Sequence, residues 1–153
     1  MKTEHRVIQI YTDGSCSDTG SGGWACIVRS KHRMYEMYGG DIHTTSMRME
    51  MTAVIRGLLS LAGSQNVEIY TDCQDIVDVV TSRKLDSWQA SGWILSDNLI
   101  KSNADLWEEL HRLVHRHNVS MFWIKGHSGH PYNARCDKLA RSQMKLRKDT
   151  ISL

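Results

Sequence analysis

The sequence predicts an α/β fold in which an antiparallel meander is followed by alternating strands and helices, giving one mixed sheet with helices packed against it. Three observations carry that expectation: strand-like apolar runs fill residues 6–41, the apolar period turns helical at Ser46, and short β-branched runs alternate with amphipathic stretches after Gly63.

Residues 6–12 hold Val7, Ile8, Ile10 and Tyr11, an apolar set on both faces that marks a central strand, which a Gly-rich turn then stops. Residues 24–29 and 33–41 read as two further strands around the polar turn Ser30-Lys31-His32, with Gly39-Gly40 permitting a bulge or bend. From Ser46 onward Met47, Met51, Val54, Leu58 and Leu61 recur at helical spacing, and Gly63 stands where a C-cap belongs. Beyond it, residues 67–71 read as a strand, 75–81 as a short helix, 99–116 as an amphipathic helix, 120–124 as a strand, and 133–147 as a helix capped by Asn133. Alternating strand and helix is the arrangement that parallel strands require.

A chain of 153 residues with 41% hydrophobic content suits one domain spanning 1–153, whose tail after about residue 147 need not be ordered. No apolar run approaches the roughly 18 residues of a membrane span, and the polar start lacks a signal peptide's apolar region, so a soluble, cytoplasmic protein is expected, and a monomer is the oligomeric state expected beside it. Cys16, Cys26, Cys73 and Cys136 show no paired spacing, which favours reduced thiols over a disulfide framework or a zinc site. His111, His115 and His117 lack an evident further ligand and read as the wet face of a helix. The net charge of +2 does not announce nucleic-acid binding, although Arg135, Lys138, Arg141, Lys145, Arg147 and Lys148 crowd the last helix as either a phosphate-facing or a solvated surface.

Chemistry is suggested by the carboxylates. The first strand ends Ile10-Tyr11-Thr12-Asp13 and the fourth Ile69-Tyr70-Thr71-Asp72. If these strands lie parallel and adjacent, both acids emerge at one C-terminal edge, where open α/β sheets place ligands. Each alone could simply start a turn. Together they repel unless a cation neutralises them or one holds a proton, and all-oxygen ligands suit magnesium or manganese. Glu50 heads the apolar stripe of the first helix, an awkward place for an unpartnered acid, though an early-turn acid favoured by the helix dipole is the alternative. Asp137, near the start of the last helix, is ordinary by spacing alone, but it follows a glycine- and histidine-rich loop, Gly126-His127-Ser128-Gly129-His130-Pro131, whose imidazoles can move protons.

Five motifs, Tyr11-Thr12-Asp13-Gly14-Ser15-Cys16, Arg48-Met49-Glu50, Tyr70-Thr71-Asp72-Cys73-Gln74, Trp123-Ile124-Lys125-Gly126-His127 and Asn133-Ala134-Arg135-Cys136-Asp137, occur in an order and spacing that closely resemble type 1 ribonuclease H over nearly the whole chain. The resemblance implies a ribonuclease H-like, five-stranded mixed sheet and an endoribonuclease that hydrolyses the RNA strand of RNA/DNA hybrids with two Mg2+ ions, for which Mn2+ can substitute, leaving 5′-phosphate and 3′-hydroxyl ends. It places Asp13, Glu50, Asp72 and Asp137 as metal ligands and His127 as a mobile catalytic histidine. It further implies that Gly14, Ser15, Cys16, Ser46, Met47 and Gln74 lie along the substrate groove, that Thr45 lies near a phosphate of the DNA strand, and that Trp88 and Trp93 belong to a substrate-handling protrusion. Three features depart from many members: the turn 17–23 lacks prolines and is one residue shorter, Ser46-Met47 stands where two asparagines are common, and Gln89-Ala90-Ser91-Gly92 lacks a basic cluster. Two other readings share parts of this pattern, a related polynucleotidyl transferase or nuclease such as a junction resolvase or a reverse-transcriptase-linked domain, and a non-enzymatic hybrid-binding module. The second has no use for four acids, which repel phosphates without metal.

Overall fold

The computed structural model describes residues 6–94, 101–126 and 129–151. Its elements are β1 (Val7–Cys16), β2 (Gly22–Arg29), β3 (Met34–Asp41), α1 (Ser46–Leu59), β4 (Asn66–Thr71), α2 (Gln74–Thr81), α3 (Lys84–Ala90), α4 (Ala104–Arg116), β5 (Asn118–Trp123) and α5 (Pro131–Ile151). The sheet order is β3-β2-β1-β4-β5. β1 pairs antiparallel with β2 and β2 with β3, whereas β4 runs parallel to both β1 and β5. The mixed sheet expected from the change of pattern is therefore present.

β1 is central because consecutive residues are buried on opposite faces. Ile10 joins Val54, Leu58 and Ile69 in the larger core beneath α1, while Tyr11 joins Ala25, Ile27, Cys136 and Ala140 beneath α5. Met51, Val54 and Leu58 are fully buried, each contributing about 1.5–3 kcal/mol of transfer free energy before entropy is charged against it. The second core depends on close approach of α5 to the sheet. A Cβ on Gly23 would stand 2.6 Å from the Met144 backbone nitrogen and 2.8 Å from the Gln143 Cβ, so only glycine lets α5 lie directly on β2.

Several boundaries differ from the sequence expectation, each for a local reason. Thr45 caps α1, its hydroxyl accepting from the Arg48 N–H at 3.2 Å. The helix ends at Leu59 with Ser60 as C-cap, and Gly63 instead turns the following loop with φ +64. α4 begins only at Ala104, because Asn103 adopts a left-handed conformation (φ 61), while residues 95–100 lie outside the described residues. α3 is absent from the sequence expectation, because its seven residues carry too little periodicity to declare a helix. α5 opens on Pro131, which needs no N–H there, so Asn133 sits inside the first turn and is not the cap. The same helix continues past Arg147 to Ile151. Among the described residues no helix is long and apolar enough to cross a membrane, and the four cysteines are free thiols.

Candidate active site

Parallel pairing of β1 with β4 runs from Val7↔Asn66 to Tyr11↔Tyr70 and then stops. Two residues farther along each chain, Asp13 and Asp72 lie in equivalent positions past the end of that ladder. β1 itself does not turn at Asp13, as the sequence suggests; it continues to Cys16 with β2 as partner, so Asp13 faces Ala25 across the ladder. That leaves Asp13 in rigid strand and 5% exposed. Its Oδ1 accepts a hydrogen bond from the Gly14 N–H at 2.9 Å.

Glu50 reaches the same place from α1. The helix can come that near because position 14 has no side chain: a Cβ there would lie 2.6 Å from the Met49 carbonyl carbon and closer still to the Glu50 nitrogen. Ligand oxygens of Asp13, Glu50 and Asp72 lie within 4.8 Å of one another. Oε2 of Glu50 is buried without a hydrogen-bonding partner. A buried carboxylate oxygen costs free energy unless something satisfies it, and a divalent cation held by oxygens suits this donor set.

The electrostatics follow from the crowding. Burial first, then the charge of Asp72, pushes the Asp13 carboxyl up to about 7, although hydrogen bonds with Glu50 and Gly14 oppose the rise. Burial, then the charges of Asp13 and Asp72, push Glu50 higher still. Asp137 stands on the wall of the same cleft, which Asp13, Asp72, Gly129, His130 and Asn133 also line. It is outside the tight trio, 29% exposed, and ion-paired with Arg141 Nε at 3.1 Å. The sequence pattern and this geometry agree with a family model of RNase H that matches residues 5–145.

The chain belongs to the ribonuclease H family.

Relatives within the family are similar over nearly their full length. A Ribonuclease H of Nitratidesulfovibrio vulgaris (strain DSM 19637 / Miyazaki F) is 44% identical over 141 residues, covering 92% of this chain and 90% of that one. A Ribonuclease H of Paramagnetospirillum magneticum (strain ATCC 700264 / AMB-1) is 45% identical over 135 residues, 88% of this chain and 87% of that one. The crystal structure of a type 1 RNase H with the type 2 active-site motif superposes with a TM-score of 0.82 at 25% identity, covering 96% of this chain and 76% of that one. The foamy viral protease-reverse transcriptase in complex with RNA/DNA hybrid shares the fold, with a TM-score of 0.70 at 15% identity over 92% of this chain and 20% of that one.

Two residues of the cleft carry no metal or substrate role in the sequence pattern, which gives only a cap at Asn133 and a proton-moving loop that includes His130. Asn133, which reads there as a cap, is 4% exposed and lines the cleft. Its i, i+4 spacing to Asp137, which puts both on one helix face, is the signal that could find it. His130 stacks on Tyr11 with ring centroids 5.0 Å apart, and its Nδ1 is buried without a partner. His127 lies outside the described residues. The basic crowd on α5 is partly engaged within the protein: Arg135 makes a bidentate contact with Glu36 at 2.6 and 3.1 Å, Arg141 holds Asp137, and Arg147 donates to Gln143 at 2.6 Å.

The residues that the resemblance placed along a groove fall on three neighbouring segments. Gly14, Ser15 and Cys16 end β1, where the Cys16 thiol donates to the Thr44 carbonyl at 3.5 Å. Thr45, Ser46 and Met47 open α1, and Gln74 opens α2; Met47 Sδ lies 3.9 Å from Cys73 Sγ, which joins those two helix starts. From Met47 a groove continues past Asp75 and Lys84 to Trp88, Lys101 and Trp107. Trp88 meets Trp107 edge-on at 5.6 Å and carries Lys101 Nζ 4.7 Å above its ring. Trp93 is 8% exposed and meets His111 edge-on at 6.3 Å, so its ring belongs to the interior and not to that groove.

Raised carboxyl groups predict how metal-free protein responds to pH. Protons held by Asp13 and Glu50 in the fold stabilise it below the ordinary carboxyl range, near pH 4, and that stabilisation is lost as pH climbs through about 7, where Asp13 ionises. In EDTA the stability should therefore fall from about pH 5 upward, through about 7 where Asp13 ionises and on towards about 10 where Glu50 does, and Glu50→Gln should flatten the fall by roughly 1–3 kcal/mol. Equal slopes for the two proteins would contradict the proposed crowding.

Proposed function

We propose that this chain is a metal-dependent endoribonuclease that cuts the RNA strand of RNA/DNA hybrids and leaves 5′-phosphate and 3′-hydroxyl ends. The observation that carries the reading is the close trio of buried Asp13 with half-buried Glu50 and Asp72, with an unsatisfied Glu50 oxygen, in a chain of the ribonuclease H family. These three and Asp137 would hold Mg2+, with Mn2+ able to substitute. Two ions held by these carboxylates would supply an activated water and offset charge on the leaving 3′ oxygen.

The protein's part is to hold the donors ready. Asp13 is fixed by its strand and by the Gly14 N–H, and Glu50 by the first turns of a capped helix, so little reorganisation is left to the reaction. The acids must give up the protons that crowding makes them hold, and substrate or metal uptake is expected to release them. His127, in the loop before α5, would move a proton or help the product leave. Asp137, loosely tied to Arg141, is the ligand free to adjust.

Strand choice would rest on the ribose 2′-hydroxyls that only RNA offers, met by Gly14, Ser15, Cys16, Ser46, Met47 and Gln74, with Thr45 near a phosphate of the DNA strand. Trp88 would present an exposed edge to substrate, while buried Trp93 supports it by donating its backbone N–H to the Trp88 carbonyl at 2.8 Å. The turn at Gln89–Gly92 carries no cation, so fewer phosphates are neutralised than by a homologue with a basic protrusion. Hybrid binding should be weaker, with the slope of log K against log salt shallower by about 0.7–0.9 for each phosphate that no cation meets. An equally steep slope in a salt titration would refute this.

The deciding assay is cleavage of an end-labelled RNA/DNA hybrid with magnesium or manganese beside duplex DNA of the same sequence. Cut RNA with 5′-phosphate ends and intact duplex DNA are expected; an uncut hybrid under both metals overturns the reading.

A further inference from the structure

Helix α4 places His111 and His115 one turn apart, and both imidazoles face α3. Nε2 of His111 lies 3.1 Å, and Nε2 of His115 2.7 Å, from the same oxygen, Oδ1 of Asp86. The two rings are 4.4 Å apart between centroids. A ligand atom from each of the three residues lies within 4.8 Å of the other two. Sequence alone could not supply the third member: Asp86 is 25 residues before His111, on a helix that the pattern does not reveal, and packing of α3 on α4 brings it in.

Histidines at i and i+4 on one helix face are the spacing by which two imidazoles grip one ion. Zinc-class ions take nitrogen and carboxylate oxygen at about 2.0–2.2 Å, which sets donors of a tetrahedral site about 3.3–3.5 Å apart. The Asp86–His111 and Asp86–His115 separations need to open by less than an ångström to meet that. The way in is open, since the side chains of Asp86 and His115 are 47% and 58% exposed. The charges around the site are mixed but mostly acidic: Asp105, Glu108 and Glu109 share the groove beside the histidines with Arg112, which Glu109 holds at 2.6 Å, while Arg83 lines the pocket on the other side of Asp86 and His115.

We propose that Asp86, His111 and His115 form a second metal site, for a zinc-class transition ion, that clips α3 to α4. Two imidazoles and one carboxylate leave a fourth position for water, and imidazole nitrogen selects zinc, copper or nickel over magnesium. The two sites of the molecule thus sort metals by ligand chemistry, oxygen at the acidic cleft and mostly nitrogen here. The clip also steadies the perch of Trp88, because that residue stands on α3 and leans on Trp107 of α4.

The test is zinc titration by calorimetry in excess magnesium, with cobalt as the spectroscopic probe. One zinc per chain, bound at micromolar affinity or tighter, with four-coordinate cobalt bands lacking thiolate charge transfer, is the expected result. A higher melting temperature in zinc is expected too. His115→Gln and Asp86→Asn should each weaken binding at least tenfold, and Asp13→Asn should leave it unchanged. Gln keeps a hydrogen-bonding group at this exposed position, and equal melting in EDTA checks that the variants fold. No stoichiometric uptake, thiolate bands, or uptake that survives His111→Gln/His115→Gln would each overturn the site.

Discussion

Asp13→Asn should lower hybrid cleavage by on the order of a thousandfold or more while raising the melting temperature of the metal-free protein. A ligated metal contributes several kcal/mol of charge stabilisation, and each 1.36 kcal/mol is a factor of ten in rate. An amide keeps the shape and can still accept from the Gly14 N–H, so the fold has no reason to suffer. What it loses is a carboxyl whose charge burial opposes and which Asp72 and, more weakly, Asp137 repel. Removing that charge relieves repulsion that only metal otherwise offsets, so in EDTA at about pH 8 the variant should be more stable by roughly 1–3 kcal/mol. Opposite movement of activity and stability marks a residue placed for chemistry at a cost to the fold. Cleavage kinetics and thermal melts on the same samples check both halves. Full activity in the variant would end the proposed role of Asp13.

The second large effect is expected at Gly14, which touches no metal. Gly14→Ala puts a Cβ against the Glu50 nitrogen and 2.6 Å from the Met49 carbonyl carbon, both backbone atoms that cannot swing aside as a side chain can. α1 must then draw back from β1, opening the core around Ile10, Met49 and Val54 and carrying Glu50 away from Asp13. Overpacking of this kind costs about 1–3 kcal/mol and occasionally more. A misplacement of about 1 Å in a catalytic group can cost on the order of a hundredfold in rate. Chemical denaturation and cleavage should both record the change, and magnesium should stabilise this variant less than the wild type. A variant with native stability and native magnesium response would show that α1 can shift without consequence.

Asp13 and Gly14 also divide what is legible in the chain from what is not. The paired endings Tyr11-Thr12-Asp13 and Tyr70-Thr71-Asp72 are readable as a candidate pair because each motif is local to its own strand, whereas their meeting rests on the parallel pairing of β1 with β4. Glu50 is readable because an acid heading an apolar helical stripe conflicts with its surroundings. Gly14 reads as part of a turn, and its actual role, admitting α1 to β1, exists only where two distant backbones meet. Asn133 reads as a cap because Asn before a helix usually is one; the helix starts at Pro131 instead and buries it in the cleft.

Trp88 and Trp93 make the same point in the protrusion. The sequence marks both as aromatics of one protrusion, Trp88 beside polar neighbours, but which ring faces out depends on the left-handed backbone at Trp93 (φ 66) and on packing against Trp107 and His111. The cations of α5 can be counted in the sequence, whereas their engagement by Glu36, Asp137 and Gln143 follows from where α5 lies.

By itself, then, the sequence determined the α/β mixed sheet and the family and nominated the candidate acids, because periodicity and motif order depend on residues close in the chain. The tertiary structure alone decided which acids converge, how far their protons are held, and that Asp86 meets His111 and His115, because those properties arise from burial and from contacts between segments that only folding makes neighbours.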